Sequence, residues 1–386
     1  MFSSLRLETT AFATVLILGL AASLSACQGA VDPDPISVDT AALRNQYPAW
    51  PIDSMVALMN ELPNGTQLAL AIYRDSTPVF LGLERRNDSL ITVDNADRVY
   101  EAGSISKVFT SAFLAQAVTE NRVTLQQPVW SLLSLDSMPE TEVTLQQLAN
   151  HTSGMPRVPS NMMLYAVTHP DNPYKKYGPE KLRAYLSDKL SMDNSPGSKY
   201  AYSNLGAGLL GYAMTQVYDQ PYETLLQEKI AGPLDMSHTT TDITRVQDRM
   251  VGGLKPNGNP APHWEFTDAL VGAGGVLSTA RDLITFLAAQ LEQEEAYMEL
   301  MQKRTFTAND NMDLALGWHI LHQDNGSAWH WHNGGTGGYR SSMAMDTNRQ
   351  TAAVVLTNIS SGFSAAGQVD QLNFTLLRHL NAPVSE

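Results

Sequence analysis

Strand-like segments occur near both ends of this chain and helical patterns fill the space between, which leaves few folds open to it. Near the N-terminal end, Gln67–Arg74 and Pro78–Glu84 are β-rich runs separated by the turn-formers Asp75 and Ser76, the pattern of a hairpin. Toward the C-terminus, Leu314–His322, Ala328–His332, Tyr339–Asp346 and Gln350–Asn358 are short, apolar or alternating, and joined by Asn, Gly and Asp. A last helix over Ser364–Leu380 carries Val369, Leu372, Phe374, Leu376 and Leu377 to pack on a sheet. The expected class is α/β of the α+β type: one antiparallel sheet built from both ends, flanked by helices, with an all-helical insertion. Residues 50–119 plus 264–386 are expected to form the sheet part and 120–263 the helical part. The joint between them is the natural cleft.

Local signals place further elements. A helix is predicted over Ile52–Leu62, stopped by Pro63-Asn64-Gly65. Ser104–Thr119 has helical spacing with Ile105, Val108, Phe109, Ala112, Phe113 and Ala117 on more than one face, as in a buried helix. Thr144-Leu-Gln-Gln147 has the form of a capping box. Pro221 opens a helix that Gly232-Pro233 stops, and Thr279 caps one running toward Met301.

Residues 1–26 read as an export signal: Arg6 is followed by an apolar run from Ala11 to Ala22 and by Leu24-Ser25-Ala26-Cys27. The run falls short of the ~20 residues that span a bilayer. Leu-Ser-Ala-Cys resembles the bacterial lipobox, whose cysteine is lipidated and becomes the mature N-terminus. Cys27 is the chain's single cysteine, which excludes an internal disulfide. A lipoprotein held to a membrane through Cys27 is expected, with 27–49 as its tether, on the periplasmic side. By the same resemblance, the absence of Asp after Cys27 points to the outer membrane. The formal net charge is −14 without a dense Lys/Arg run, which argues against nucleic acid as a partner. The acidity reads as solubility. A monomer acting on a small molecule or peptide is the simplest expectation.

Three short motifs carry chemistry. In Ser104-Ile-Ser-Lys107 the helical i, i+3 spacing brings Cβ atoms to ~5–6 Å, so the amine can reach the hydroxyl. A buried lysine loses its charge more easily and becomes a base able to take the hydroxyl proton. Ser104 also stands behind Gly103 at a helix start, where free amides favour an oxyanion. Tyr202-Ser-Asn204 offers a phenol, able to hold a phenolate beside a cation, and an amide to orient substrate. His332-Asn-Gly334, followed by Gly335-Thr-Gly-Gly338, offers a glycine-lined edge to an extended substrate. It is not a phosphate loop, because no Gly-Lys-[Ser/Thr] follows. Gly-x-Ser-x-Gly is absent, against an α/β-hydrolase elbow.

In this order, Ser-x-x-Lys, Tyr-x-Asn and His-x-Gly resemble the serine hydrolases of the class C β-lactamase, D-alanyl-D-alanine carboxypeptidase, D-aminopeptidase and esterase family. Tyr100-Glu-Ala-Gly-Ser104, Leu148-Ala-Asn-His-Thr-Ser-Gly-Met-Pro156, Pro233-Leu-Asp-Met236, Gly274-Gly-Val-Leu-Ser-Thr279 and Leu316-Gly-Trp318 extend the likeness from about Gln67 to Ser360. The resemblance implies a β-lactamase/penicillin-binding-protein-like fold. It makes Ser104 the acylated nucleophile, Lys107 and Tyr202 the sharers of its proton, and Asn204, His332, Gly334 and Gly335 the substrate-binding residues. The amides of Ser104 and Gly335 become the oxyanion hole. One departure is His332-Asn-Gly334 where dedicated class C β-lactamases have Lys-Thr-Gly. It weighs against efficient β-lactam hydrolysis while leaving acylation by β-lactams expected. It also predicts that activity on substrates with a free carboxylate falls as His332 loses its proton. No cofactor and no metal are expected, since His319, His330 and His332 lack an acidic companion at ligand spacing. Arg281 and Arg340, although able to meet a substrate carboxylate, read as solvated side chains.

Overall fold

The computed structural model describes residues 36–47, 50–87, 89–293 and 295–382. The segment expected to be an export signal, Cys27 and Asp32–Pro35 lie outside the described residues.

In chain order the helices are α1 (Thr40–Gln46), α2 (Ile52–Asn60), α3 (Ser106–Thr119), α4 (Leu145–Ala149), α5 (Met163–Thr168) and α6 (Pro179–Asp188). Then follow α7 (Asn204–Tyr218), α8 (Tyr222–Leu226), α9 (Val271–Gly274), α10 (Ala280–Glu292), α11 (Ala296–Gln302) and α12 (Gln368–Leu380). The N-terminal strands are β1 (Gln67–Arg74), β2 (Thr77–Arg86) and β3 (Ser89–Thr92). Short ribbon strands are β4 (Tyr100–Glu101), β5 (Gly253–Leu254), β6 (Pro260–Ala261) and β7 (Leu277–Ser278). The C-terminal strands are β8 (Phe306–Asn309), β9 (Met312–Leu314), β10 (His319–His322), β11 (Ala328–Gly335), β12 (Arg340–Asp346) and β13 (Thr351–Thr357).

Among the described residues the main sheet has nine strands in the order β3-β2-β1-β13-β12-β11-β10-β9-β8, antiparallel throughout. Strand β13 lies beside β1, Val355 opposite Leu70, so both ends of the chain close one sheet as expected. Side chains alternate across a strand, and here the alternation separates two cores. Leu68, Leu70 and Ile72 of β1 join Ala353 and Val355 of β13 under α2 and α12. Ala69, Ala71 and Tyr73 join Val354 and Leu356 on the other face, with α10 and the helical body. Strands buried on both faces read as continuous apolar runs, which is why β1 and β13 stood out.

Four differences from the sequence reading have local causes. The strand expected over Leu314–His322 is broken: Ala315 N donates to Trp318 O, and Gly317 takes φ +75°, turning Leu316–Trp318 onto α3. The helix after Thr279 does not continue to Met301, because Gln293 adopts a left-handed conformation and α11 starts afresh. β3 and β8 were not anticipated; both are four-residue strands at the two edges of the sheet. Part of the segment read as tether is docked instead. Ile36 N donates to Asn60 Oδ1, Ser37 bridges Ser89, and Asp39 caps α1.

Candidate active site

Ser104 sits in a tight turn, Gly103–Ile105, that opens α3. Three anchors fix this turn. Ala102 N donates to Val276 O, Ser106 Oγ donates to Gly103 O, and Val276 N donates to Ser106 Oγ. Helix α3 is buried from Ser106 to Ala117, so Lys107 has no route to solvent except toward the turn. Its Nζ hydrogen-bonds Ser104 Oγ at 3.0 Å and donates to Ala273 O at 2.6 Å.

Strand β11 reaches the turn from the other side. Two glycines permit the contact: a Cβ on Gly334 would lie 2.0 Å from Ala102 O and 2.9 Å from Ser104 N. Gly103 has φ +54°, and a Cβ there would lie 2.6 Å from Gly335 N. Strand β10 pairs with β11 only as far as His319 opposite Trp331, so residues 332–335 overhang it. Thr336 N bonds Tyr339 O toward β12, and alternation then directs the Gly335 amide to the overhanging edge. The amides of Ser104 and Gly335 therefore stand on adjoining backbones at the mouth of the crevice.

The second motif is carried by the turn His151–Arg157. His151 has φ +57°, and its Nδ1 accepts from Ser203 N at 3.2 Å. Ser203 Oγ donates to Pro156 O and caps α7 by accepting from Gly206 N. Asn204 N and Leu205 N donate to Arg157 O at 2.9 and 3.1 Å. The Tyr202 ring is thereby held 4.3 Å from the His151 ring, with Lys107 Nζ 4.9 Å and the Arg157 guanidinium 5.2 Å from its centroid. Asn204 Nδ2 donates to Tyr174 OH, while Asn204 Oδ1 is buried without a partner among the described residues.

His332 faces the same crevice, 6.4 Å from the Tyr202 ring and 5.2 Å from that of His319. Its Nδ1 donates to Asn333 O at 2.6 Å, and its Nε2 is buried without a partner among the described residues. Asn333 instead gives its amide to Asp370 Oδ2 at 2.8 Å. The structure thus brings together Ser104, Lys107, Tyr202, Asn204, His332, Gly334 and Gly335.

Burial decides the protonation states. It holds the Lys107 amine well below its ordinary value, with the charge of Arg157 adding to the effect. It pushes the Tyr202 phenol up to about 12, although a hydrogen bond with Ser104 and the charge of Arg157 pull the other way. Burial thus works against the phenolate considered from sequence, and favours a neutral phenol beside an amine that gives up its charge more readily than usual. His332 is pushed well below 6.5 by burial, with His319 and Lys107 adding to it. Burial therefore works against the expected titration of His332 with carboxylate substrates, because it favours the neutral imidazole.

Two arginines considered for a carboxylate are already paired. Arg281 is bidentate on Asp97, at 2.7 and 3.1 Å, and Arg340 is bonded to Asp370. The cation that sequence reasoning missed is Arg157. Its signal was only its place directly after the His151–Pro156 segment. Among the described residues no His/Cys/Asp/Glu group has metal-binding geometry.

Comparison with known proteins points one way. The family described as Beta-lactamase matches residues 59–374. The D-alanyl-D-alanine-carboxypeptidase/endopeptidase AmpH of Escherichia coli (strain K12) is 26% identical over 320 residues, covering 76% of this chain and 80% of AmpH. A beta-lactamase of Providencia stuartii is 25% identical over 233 residues, covering 59% of this chain and 56% of that protein. Among solved structures, the beta-lactamase/D-alanine carboxypeptidase of Pseudomonas syringae superposes with a TM-score of 0.71 at 20% identity, covering 90% of this chain and 100% of the other. The octameric penicillin-binding protein homologue of Pyrococcus abyssi gives 0.70 at 23% identity, covering 88% and 77%.

Proposed function

This chain belongs to the beta-lactamase family of serine hydrolases, and from that premise we propose that it cleaves an amide or ester, of the D-amino-acid peptide or β-lactam type, through an acyl-enzyme on Ser104. The observation that carries the reading is the amine of Lys107, 3.0 Å from Ser104 Oγ and with its charged form disfavoured by burial, at a turn that also presents the Ser104 amide.

The steps follow from the geometry. The substrate carbonyl oxygen lies between the amides of Ser104 and Gly335, which stabilise it as negative charge develops. Lys107 takes the Ser104 proton as Oγ attacks the carbonyl carbon. Tyr202, still protonated at neutral pH, gives its proton to the departing nitrogen and recovers one from Lys107. Expulsion of the amine leaves the ester on Ser104. Water then attacks that ester by the same proton route in reverse. Asn204 Oδ1 and His332 Nε2, buried and without partners, are acceptors for substrate N–H groups.

An export signal, as expected from residues 1–26, would add a place to the reading: the folded part would be held at a membrane surface, on the periplasmic side, by lipid on Cys27. The catalytic reading is tested with the purified domain offered a D-Ala-D-Ala peptide, a chromogenic cephalosporin and a short-chain nitrophenyl ester. Peptide cleavage with slow cephalosporin turnover is expected. Turnover of the nitrophenyl ester alone would make the protein an esterase.

A further inference from the structure

The mechanism leaves unused a charged group beside Tyr202. Arg157 is half-buried, its guanidinium 5.2 Å from the centre of the Tyr202 ring. Among the described residues its side chain has neither an ion pair nor a hydrogen bond. The other arginines weighed for an anion, Arg281 and Arg340, are held by Asp97 and Asp370. The chain supporting Arg157 is fixed, since its carbonyl accepts the first amides of α7, from Asn204 and Leu205. The strand opposite offers no cation in its place: β11 presents His332, whose Nδ1 is spent on Asn333 O, and Asn333 is turned to Asp370.

A cation beside the proton-transfer group Tyr202, with no ion pair among the described residues, is free to meet an anion. It also disfavours the charged form of Lys107. A guanidinium binds a carboxylate through two parallel N–H bonds. We propose that Arg157 is the specificity-determining residue that receives a carboxylate of the substrate, on the Tyr202 wall of the crevice rather than on strand β11. This rests on the acyl-enzyme reading above and narrows its substrates to anionic ones, such as peptides ending in a free D-amino-acid carboxylate.

The test compares two acylating agents that differ only in that charge, benzylpenicillin and its methyl ester, with adduct formation followed by intact mass. The wild type is expected to react faster with the acid. In Arg157→Gln the ratio of acid to ester rates falls about tenfold or more, as for loss of a charge-assisted hydrogen bond, and Arg157→Lys keeps part of it. An unchanged ratio overturns the proposal. So does an equal slowing of both compounds, which would make Arg157 act only through Lys107 and Tyr202. If the wild type reacts with neither compound nor with a neutral nitrophenyl ester, the acyl-enzyme reading fails as well. If the nitrophenyl ester is cleaved and the ratio does not move, the role of Arg157 alone is lost.

Discussion

At the scale of single residues, Lys107 is the decisive group. Its folded pKa lies below the ordinary lysine value, and only its neutral form accepts the Ser104 proton. Activity is therefore present above that depressed pKa and is lost as pH falls through it. We expect kcat/KM for a neutral ester to show one ionisation on the acid side. Replacing Lys107 by Met should lower it by ~10²–10⁴-fold, the usual worth of a positioned base. A loss under tenfold would remove Lys107 from the mechanism. A free-carboxylate substrate should show no additional inflection near pH 6.5, because His332 is already neutral there. Ser104 and Lys107 were legible in the sequence because i, i+3 spacing is a local fact of the helix. The charge state of His332 and the isolation of Arg157 were not, since both depend on what other segments place around them.

At the scale of elements, the site exists because β11 and the turn before α3 touch. Gly334 permits this contact, and Gly334→Ala would put a methyl 2.0 Å from Ala102 O. The strand must then retreat, separating the amides of Ser104 and Gly335. We expect kcat to fall by ~10²-fold or more while the far-ultraviolet circular dichroism keeps its shape. Normal kcat would show that the contact is dispensable. Ser106 secures the same turn by bonding both Gly103 O and Val276 N. Ser106→Ala leaves a buried N–H without a partner and should cost about 1–3 kcal/mol, seen as a Tm lower by several degrees. An unaltered Tm would mean that another group replaces the hydroxyl. The β1–β2 hairpin, the buried α3 and the capping box Thr144–Gln147 could be read in advance, because period, turn residues and caps are local signals. The break at Ala315–Trp318 could not, since the turn is held from outside by Met301 O and Ala149 O.

For the whole molecule, the sheet closed by both ends carries helical layers on its two faces, and imidazoles are buried in and near the crevice on one of them. His151, His319, His330 and His332 all have pKa values lowered by burial, His319 to about 4. Unfolding lets each take up a proton once the pH is below about 6.5, so their contribution to stability is complete above that pH. It is lost as pH falls from there toward the folded values. Each histidine contributes at most about 1.4 kcal/mol per pH unit, so Tm should drop by several degrees between pH 7.5 and 5.5. A flat Tm would contradict the neutral cluster. The antiparallel sheet and its pairing of both ends followed from the pattern of apolar runs, whereas the docking of Ile36–Asp39 did not, being a matter of one side chain and one bridge. At this scale too, Cys27→Ser is expected to move the expressed protein from the membrane to the soluble fraction; retention at the membrane would reject the lipid anchor.

The most direct measurement is the site of acylation. Wild-type protein and Ser104→Ala are each exposed to benzylpenicillin, digested and sequenced by mass spectrometry. The account predicts one adduct, on the peptide containing Ser104, and none in the variant. An adduct on another residue, or equal labelling of Ser104→Ala, would contradict it.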